Sequence, residues 1–347
     1  MASSVSSSPQ ARVHVLGLGS IGTFTAHGLL ETPKPPSVTL LLHRESLYES
    51  YRQNGNQILL GTLDGQLLGH RGYDLEVYRS DSWSRLPGLE ETTDNIDHLI
   101  VSVKATQTTT ALRSLKDRLS AKSTILFLQN GCGMIDAINQ SIFPDPSTRP
   151  TYIVGVVSHG VTLNSAFHVT HRGAAAISLG MVPSASGVAP SSEREYLLTL
   201  LPQSPRLNAT AYPYAKILQV QLEKLAVNAF CNPLCALHDK QNGFLFTLPG
   251  IRRQILTEVS NVVLRLPELR HIRGLTNRFS VDRLEATVID ILTKTTETTC
   301  SMVWDLRAGR ETEIRFINGY WVRRGREVGV PTPVNERLLE EVIHKGG

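Results

Sequence analysis

Val13-His14-Val15-Leu16-Gly17-Leu18-Gly19-Ser20-Ile21-Gly22 decides the fold of the first half of this chain. The mostly apolar Val13–Leu16 reads as a short buried strand that runs straight into glycines at 17, 19 and 22. Ile21 to Leu30 then reads as a helix, stopped before Pro33, Pro35 and Pro36. Val38-Thr39-Leu40-Leu41-Leu42 is a second apolar strand. In that strand–loop–helix–strand setting the glycines acquire distinct physical roles. The first permits a tight turn, the second a close approach of pyrophosphate to the backbone, and the third close packing of the helix. The helix start adds unpaired N–H groups and the positive end of its dipole. Gly17, Leu18, Gly19, Ser20, Ile21 and Gly22 are therefore assigned to a dinucleotide, within an α/β dinucleotide-binding domain.

The end of the second strand selects which dinucleotide. NAD enzymes usually carry an acid there for the ribose hydroxyls. Here Leu42 is followed by His43 and Arg44, with no acid before Glu45. A guanidinium can pair with a 2′-phosphate and stack on adenine, so NADPH is expected over NADH. A solvated surface arginine is the competing reading of Arg44. Further buried strands are expected at His98 to Val103 and Thr124 to Leu128, and a later β-rich part at Tyr152 to Val157, Phe167 to Thr170 and Ala175 to Leu179. Lys104 and Gln107 follow the first of these strands, and Asn130-Gly131 the second. That is where open α/β sheets gather ligands.

At 347 residues, two domains are the default expectation. The chain is 41% hydrophobic and 19% charged, as in soluble globular proteins. A net charge of +4 gives no support for general nucleic-acid binding. No apolar run is long enough to span a bilayer. Cys132, Cys231, Cys235 and Cys300 lack the spacing of a metal site and read as free thiols in a reducing compartment. No metal motif or serine-hydrolase elbow competes with the dinucleotide reading. The serine-rich opening, residues 1–10, reads as a disordered tail rather than a signal or transit peptide. Cytoplasmic residence is the default, with a mitochondrial address left open.

Residues Val182 to Ser192 read as a surface loop, and Leu201 to Pro213, with three prolines, as the approach to a domain boundary. The expected domains are 11–208 and 214–347. Long helical segments follow at Ala215 to Leu237, Ile251 to Arg265 and Arg283 to Arg307, with a last helix near Val334 to His344. Within the first of these, Lys224, Asn228 and Asn232 recur every four residues and form one polar ridge. Leu222, Leu225, Ala226, Ala229 and Phe230 form the apolar surface beside it. An ammonium and two amides in a row suit a small, oxygen-rich substrate. Taken singly, Lys224 also reads as a snorkelling helix lysine and Asn232, before Pro233, as an ordinary helix-end residue.

These pieces together resemble the ketopantoate reductase family (2-dehydropantoate 2-reductase). The resemblance runs through Gly17–Gly22, Val103-Lys104-Ala105-Thr106-Gln107, Gln129-Asn130-Gly131, Glu223 to Asn228, Asn232-Pro233-Leu234, Ser301 to Asp305, Gly309 to Ile314 and Ile317-Asn318-Gly319. It implies a Rossmann-type domain followed by an all-helical C-terminal domain of the 6-phosphogluconate dehydrogenase C-terminal-like kind. It also implies NADPH-dependent reduction of 2-dehydropantoate to (R)-pantoate, for pantothenate and coenzyme A synthesis. By resemblance Lys224 is the general acid. Asn130, Asn228, Asn232 and Asn242 hold the substrate, and Ser301 donates to its carboxylate. Arg44, Lys104, Asn130, Val161 and Glu313 fall on cofactor positions. The expected partners are a 2-keto acid and, at most, a second copy of the chain, with no nucleic acid and no membrane. Reduction of a different 2-keto acid, or a non-catalytic binding role, are the alternatives. His43 and His159 lack an evident orienting carboxylate and read as structural or cofactor-neighbouring.

Overall fold

A computed structural model describes residues 10–184 and 191–346. Residues 1–9 of the expected tail and 185–190 of the expected loop lie outside the described residues. The chain divides into two compact units, Met1–Gln129 with Asp136–Ile217, and Asn130–Ile135 with Leu218–Gly347. The short segment Asn130–Ile135 thus belongs to the second unit, although it lies far upstream of the break expected after Pro213.

The first unit holds strands β1 (Arg12–Leu16), β2 (Ser37–Leu42), β3 (Ile58–Gly61), β4 (Leu67–His70), β5 (Asp74–Arg79), β6 (Ser82–Leu86), β7 (Glu90–Glu91), β8 (His98–Val101), β9 (Thr124–Phe127), β10 (Thr151–Val157), β11 (Gly160–Ser165), β12 (His168–Gly173), β13 (Ile177–Met181) and β14 (Ala209–Ala211). Ten of them form one sheet in the order β14-β13-β10-β9-β8-β1-β2-β5-β6-β7. Its centre, β10-β9-β8-β1-β2-β5, is parallel. Strands buried on both faces must be apolar throughout, and Val13, Val15, Leu40, Leu42, Ile100, Leu126 and Ile153 are fully buried here. Helix α1 (Ser20–Leu29) returns the chain from β1 to β2 and is buried from Gly22 to Leu29. A second sheet, β11-β12-β3-β4, packs beside α1.

Several expected strands shift at their ends. The His98 strand stops at Val101, because Ser102 turns away to donate to Gly17 O at 2.6 Å. Phe167 takes a left-handed φ of 62° in the β11–β12 turn, so that strand begins at His168. Residues 45–91, where the apolar pattern predicts no element, form α2 (Glu45–Gln53) and β3 to β7. These strands are two to six residues long, and β4 buries neither face fully, so no clean alternation marks them. Helices α3 (Thr108–Arg113), α4 (Met134–Ser141) and α5 (Tyr196–Leu200) complete the sequence of elements up to β14.

Every regular element of the second unit among the described residues is helical: most of α6 (Tyr214–His238), then α7 (Pro249–Val263), α8 (Leu275–Arg278), α9 (Val281–Lys294), α10 (Ser301–Arg307), α11 (Asn318–Glu327) and α12 (Pro333–Gly346). The single helix expected over Arg283 to Arg307 is corrected to two, α9 and α10. The interruption is a threonine cluster. Thr293, Thr295 and Thr296 each turn a hydroxyl back onto the carbonyl four residues earlier, at 2.8, 2.7 and 2.9 Å. Such back-bonding competes with helix propagation. The carbonyls of Thr296 and Thr298 instead accept from Gly243 and Asn242 N–H.

Candidate active site

Three glycines open the first unit's site, and each does something different. Gly17 has φ +97°, and a Cβ there would lie 2.4 Å from Val103 N, so turn and close approach both demand glycine. A Cβ on Gly22 would sit 1.8 Å from Gly17 O, which makes it the packing glycine at the helix start. Gly19 meets nothing within 4 Å. No protein atom among the described residues accounts for a missing side chain there; a molecule lying against that backbone would. Gly19 is also the N-cap of α1 and supplies no side-chain cap, which leaves early N–H groups of a ten-residue helix for an anion. This chemistry fits a dinucleotide pyrophosphate.

The carboxyl ends of β1, β2 and β8 are neighbours in the sheet, which brings Gly17, Arg44 and Lys104 to one edge. Arg44 is exposed at the start of α2, with Nη1 3.3 Å from His43 Nε2. Burial, then the Arg44 charge, hold the His43 pKa below its ordinary value, so His43 is the neutral acceptor. Glu45 lies 3.6 Å from Arg79. Gln129 pins the turn that carries Lys104 by donating to Val103 O and Thr108 Oγ1, both at 2.6 Å. Val161 lies on β11, half-buried against the core of this unit. His159 is buried, 3.0 Å from Leu207 O, 3.1 Å from His171, and accepts from Ala175 N–H.

In the second unit α6 presents the expected ridge. Lys224 and Asn228 are half-buried and Asn232 is buried. Lys224 Nζ donates to Asn130 Oδ1 at 3.0 Å. Asn130 is held there by the turn that follows it. Gly131 has φ +87°, a Cβ on it would strike Phe316 at 2.7 Å, and Cys132 N–H donates to Phe316 O at 2.8 Å. The same short helical turn that ends at Phe316 begins with Glu313, which is buried. Burial lowers the Lys224 pKa to about 8, opposed by the negative charge of Glu313 and by Cys132. The site therefore holds an ammonium poised to lose its proton near neutrality, with an amide oxygen fixing its direction.

The far end of the ridge is tied together by threonines and thiols. Asn242 donates to Thr295 Oγ1 at 3.0 Å and accepts from Cys235 Sγ at 3.6 Å, so its amide is engaged within the unit. Cys300 Sγ lies 3.8 Å from Asn232 O, and the next residue, Ser301, is the exposed first residue of α10. Cys132, Cys231 and Cys235 are buried and Cys300 is half-buried.

Sequence reasoning missed what supports the ridge. Pro233 lies inside α6 and has no N–H for Ala229 O. Asn318 fills that gap, donating to Ala229 O at 2.9 Å and to Asn335 Oδ1 at 3.0 Å. Asn335 in turn donates to Glu258 at 2.7 Å, and Glu258 caps α12 through Val334 and Asn335 N–H. The proline in a helix was the visible signal that a donor was needed; its identity was not visible.

The profile of the family described as Ketopantoate reductase PanE/ApbA matches residues 13–184, and that of its C-terminal domain matches residues 216–346. A protein of Schizosaccharomyces pombe named "Probable 2-dehydropantoate 2-reductase" is 29% identical over 337 residues, 94% of this chain and 94% of the relative. The "Ketoisovalerate reductase BEA2" of Gibberella fujikuroi is 26% identical, over 90% of this chain and 77% of the relative. Among solved structures, the ternary structure of D-mandelate dehydrogenase with NADH and anilino(oxo)acetate superposes with a TM-score of 0.74 at 19% identity, covering 96% of this chain and 98% of that one. With both profiles matched and the fold shared, the chain belongs to the ketopantoate reductase PanE/ApbA family.

Proposed function

We propose that this chain is an NADPH-dependent oxidoreductase that reduces 2-dehydropantoate to (R)-pantoate, with Lys224 as general acid. Residues 11–208 would hold the cofactor and 214–347 the catalytic lysine. The observation that carries the reading is the half-buried Lys224 amine, aimed by a 3.0 Å hydrogen bond to Asn130 and with a pKa lowered to about 8. Gly17 to Gly22 would cradle the pyrophosphate, Arg44 would pair with the 2′-phosphate, and Lys104, Val161 and Glu313 would complete the cofactor's surroundings. A bound reduced nicotinamide supplies the hydride.

The chain's own residues supply the rest. Lys224 would hydrogen-bond the ketone oxygen, stabilise the negative charge that grows on it, and deliver the proton. Asn130 keeps the amine directed, and Glu313 opposes its early loss of charge. Asn228 and Asn232 each offer a donor and an acceptor to hydroxyl and keto groups, with Asn242 behind them. Ser301 would donate to the substrate carboxylate without adding a fixed charge. The proposed reaction would serve pantothenate synthesis in the cytoplasm or the mitochondrion; among the described residues no helix is long and apolar enough to cross a membrane.

A second reading keeps the chemistry and changes the 2-keto acid, favoured by the ketoisovalerate reductase among the relatives. The deciding experiment is NADPH oxidation by the purified protein across a panel of 2-keto acids. The expected result is the highest kcat/KM for 2-dehydropantoate. A higher value for 2-ketoisovalerate installs the second reading, and silence with every acid removes the enzymatic one.

A further inference from the structure

His27, Glu31 and His70 lie in the first unit at the amino-terminal half's other edge of interest, the C-terminal end of α1. His27 sits on that helix, and Glu31 follows one turn later at i+4, a spacing that puts both on one face. His70 ends β4 of the smaller sheet. His27 Nδ1 is 3.1 Å from Glu31 Oε1, His70 Nε2 is 3.8 Å from the same oxygen, and one ligand atom from each residue lies within 4.8 Å of the others.

Hydrogen bonding alone explains this arrangement poorly. The His27 side chain is fully buried; its Nδ1 stands 3.1 Å from the Glu31 carboxylate in imperfect alignment, and its Nε2 has no hydrogen-bond partner among the described residues. A buried ring nitrogen without a partner costs free energy. Close approach without alignment is what ligands of a shared centre do, because each points at the ion and not at its neighbour. Tetrahedral zinc, with bonds of about 2.0–2.1 Å, sets ligand–ligand edges of about 3.3 Å, and the two measured spacings fall on either side of that value. The His70 side chain is 33% exposed, and its ring already packs against that of His27, with centroids 4.2 Å apart.

Arg206 is the counter-argument, since its Nε lies 2.5 Å from Glu31 Oε1. The guanidinium has a second acid at hand, however. Arg206 and Asp64 both line a surface cavity of about 320 Å³, together with Thr62, Gln66 and His171. Asp64 can take over the guanidinium, or Glu31 can keep it on Oε2, while Oε1 turns to a cation.

We propose that His27, Glu31 and His70 form a binding site for one zinc-class divalent cation, completed by water, that clips the end of the cofactor helix to the smaller sheet. The site lies outside the residues assigned to reduction and does not depend on the reductase reading. The test uses full-length protein stripped of metal with chelator and then titrated with Co2+ and, separately, Zn2+. The expected result is one ion per chain by equilibrium dialysis, with the visible absorption of tetrahedral cobalt. A rise in melting temperature should accompany zinc. His70→Ala should weaken binding at least tenfold without unfolding the chain, whose melting temperature without metal serves as the check. Arg206→Gln, which removes the competing cation, should bind as tightly as the parent or more tightly. Sub-stoichiometric binding by the parent, or equal binding by His70→Ala, overturns the site.

Discussion

Asn318→Ala probes the support beneath the polar ridge of α6. Asn318 is fully buried and donates to two acceptors, Ala229 O at 2.9 Å and Asn335 Oδ1 at 3.0 Å. Truncation leaves both acceptors buried, and each unsatisfied group costs about 1–3 kcal/mol. The expected loss is therefore about 2–6 kcal/mol, a large part of the roughly 5–15 kcal/mol that holds a typical domain together. Urea unfolding followed by tryptophan fluorescence reads it, because Trp321 is fully buried on the same helix as Asn318. Pro233→Ala sharpens the assay. It restores an N–H at 233 that can bond Ala229 O in the ordinary i to i−4 pattern. One of the two orphaned acceptors is then satisfied from within α6, so Asn318→Ala should cost about 1–2 kcal/mol less in that background. Effects of proline on the unfolded chain are common to both arms of the cycle and cancel. Strict additivity, or a single-variant loss below about 0.5 kcal/mol, would show that Asn318 does not serve the carbonyl Pro233 leaves open.

Other perturbations separate chemistry from packing. Lys224→Ala should remove nearly all turnover while NADPH still binds. In the parent protein kcat should be flat below pH 8 and fall above it, because the proposed general acid, Lys224, must be protonated and its pKa is about 8. Glu313→Gln removes a charge that raises this pKa, so the fall should begin at lower pH; an unmoved profile would detach Glu313 from Lys224. Arg44→Ala should weaken NADPH about 10- to 100-fold and NADH little, the loss expected for one charge-assisted contact to phosphate. Equal losses for both cofactors would show that Arg44 does not read the 2′-phosphate. Gly19→Ala should fold normally, since nothing lies within 4 Å of the new Cβ, yet bind dinucleotide weakly. Gly22→Ala, with a Cβ 1.8 Å from Gly17 O, should lower the unfolding midpoint instead. If Gly19→Ala binds dinucleotide as the parent does, the pyrophosphate does not lie against that backbone.

Local pattern made the parallel centre of the sheet, the glycine loop and the ridge of α6 legible, because each depends on residues close together in sequence. Val13, Val15, Leu40 and Leu42 are apolar at every buried position, as a strand covered on both faces must be. Lys224, Asn228 and Asn232 share a face for the simple reason that α6 is one continuous helix of 25 residues. Strands β3 to β7 were not legible, since short, half-exposed strands carry too few residues to display a period. The split between α9 and α10 was hidden by threonines whose preference depends on where their hydroxyls find partners.

Chain order was enough to say that an amine and two amides lie in a row and that a dinucleotide loop precedes them. It could not bring Asn130 onto Lys224, nor Glu313 and Cys132 close enough to act on the amine's charge. It could not find in Asn318 the donor that Pro233 requires, or gather His27 and Glu31 with His70. Those pairings join residues separated by tens of positions, and their energies arise from burial and distance, which exist only once the chain has folded. A pKa near 8 is such a quantity: the same lysine in the unfolded chain titrates at its ordinary value, and only the packed surroundings of α6 change it.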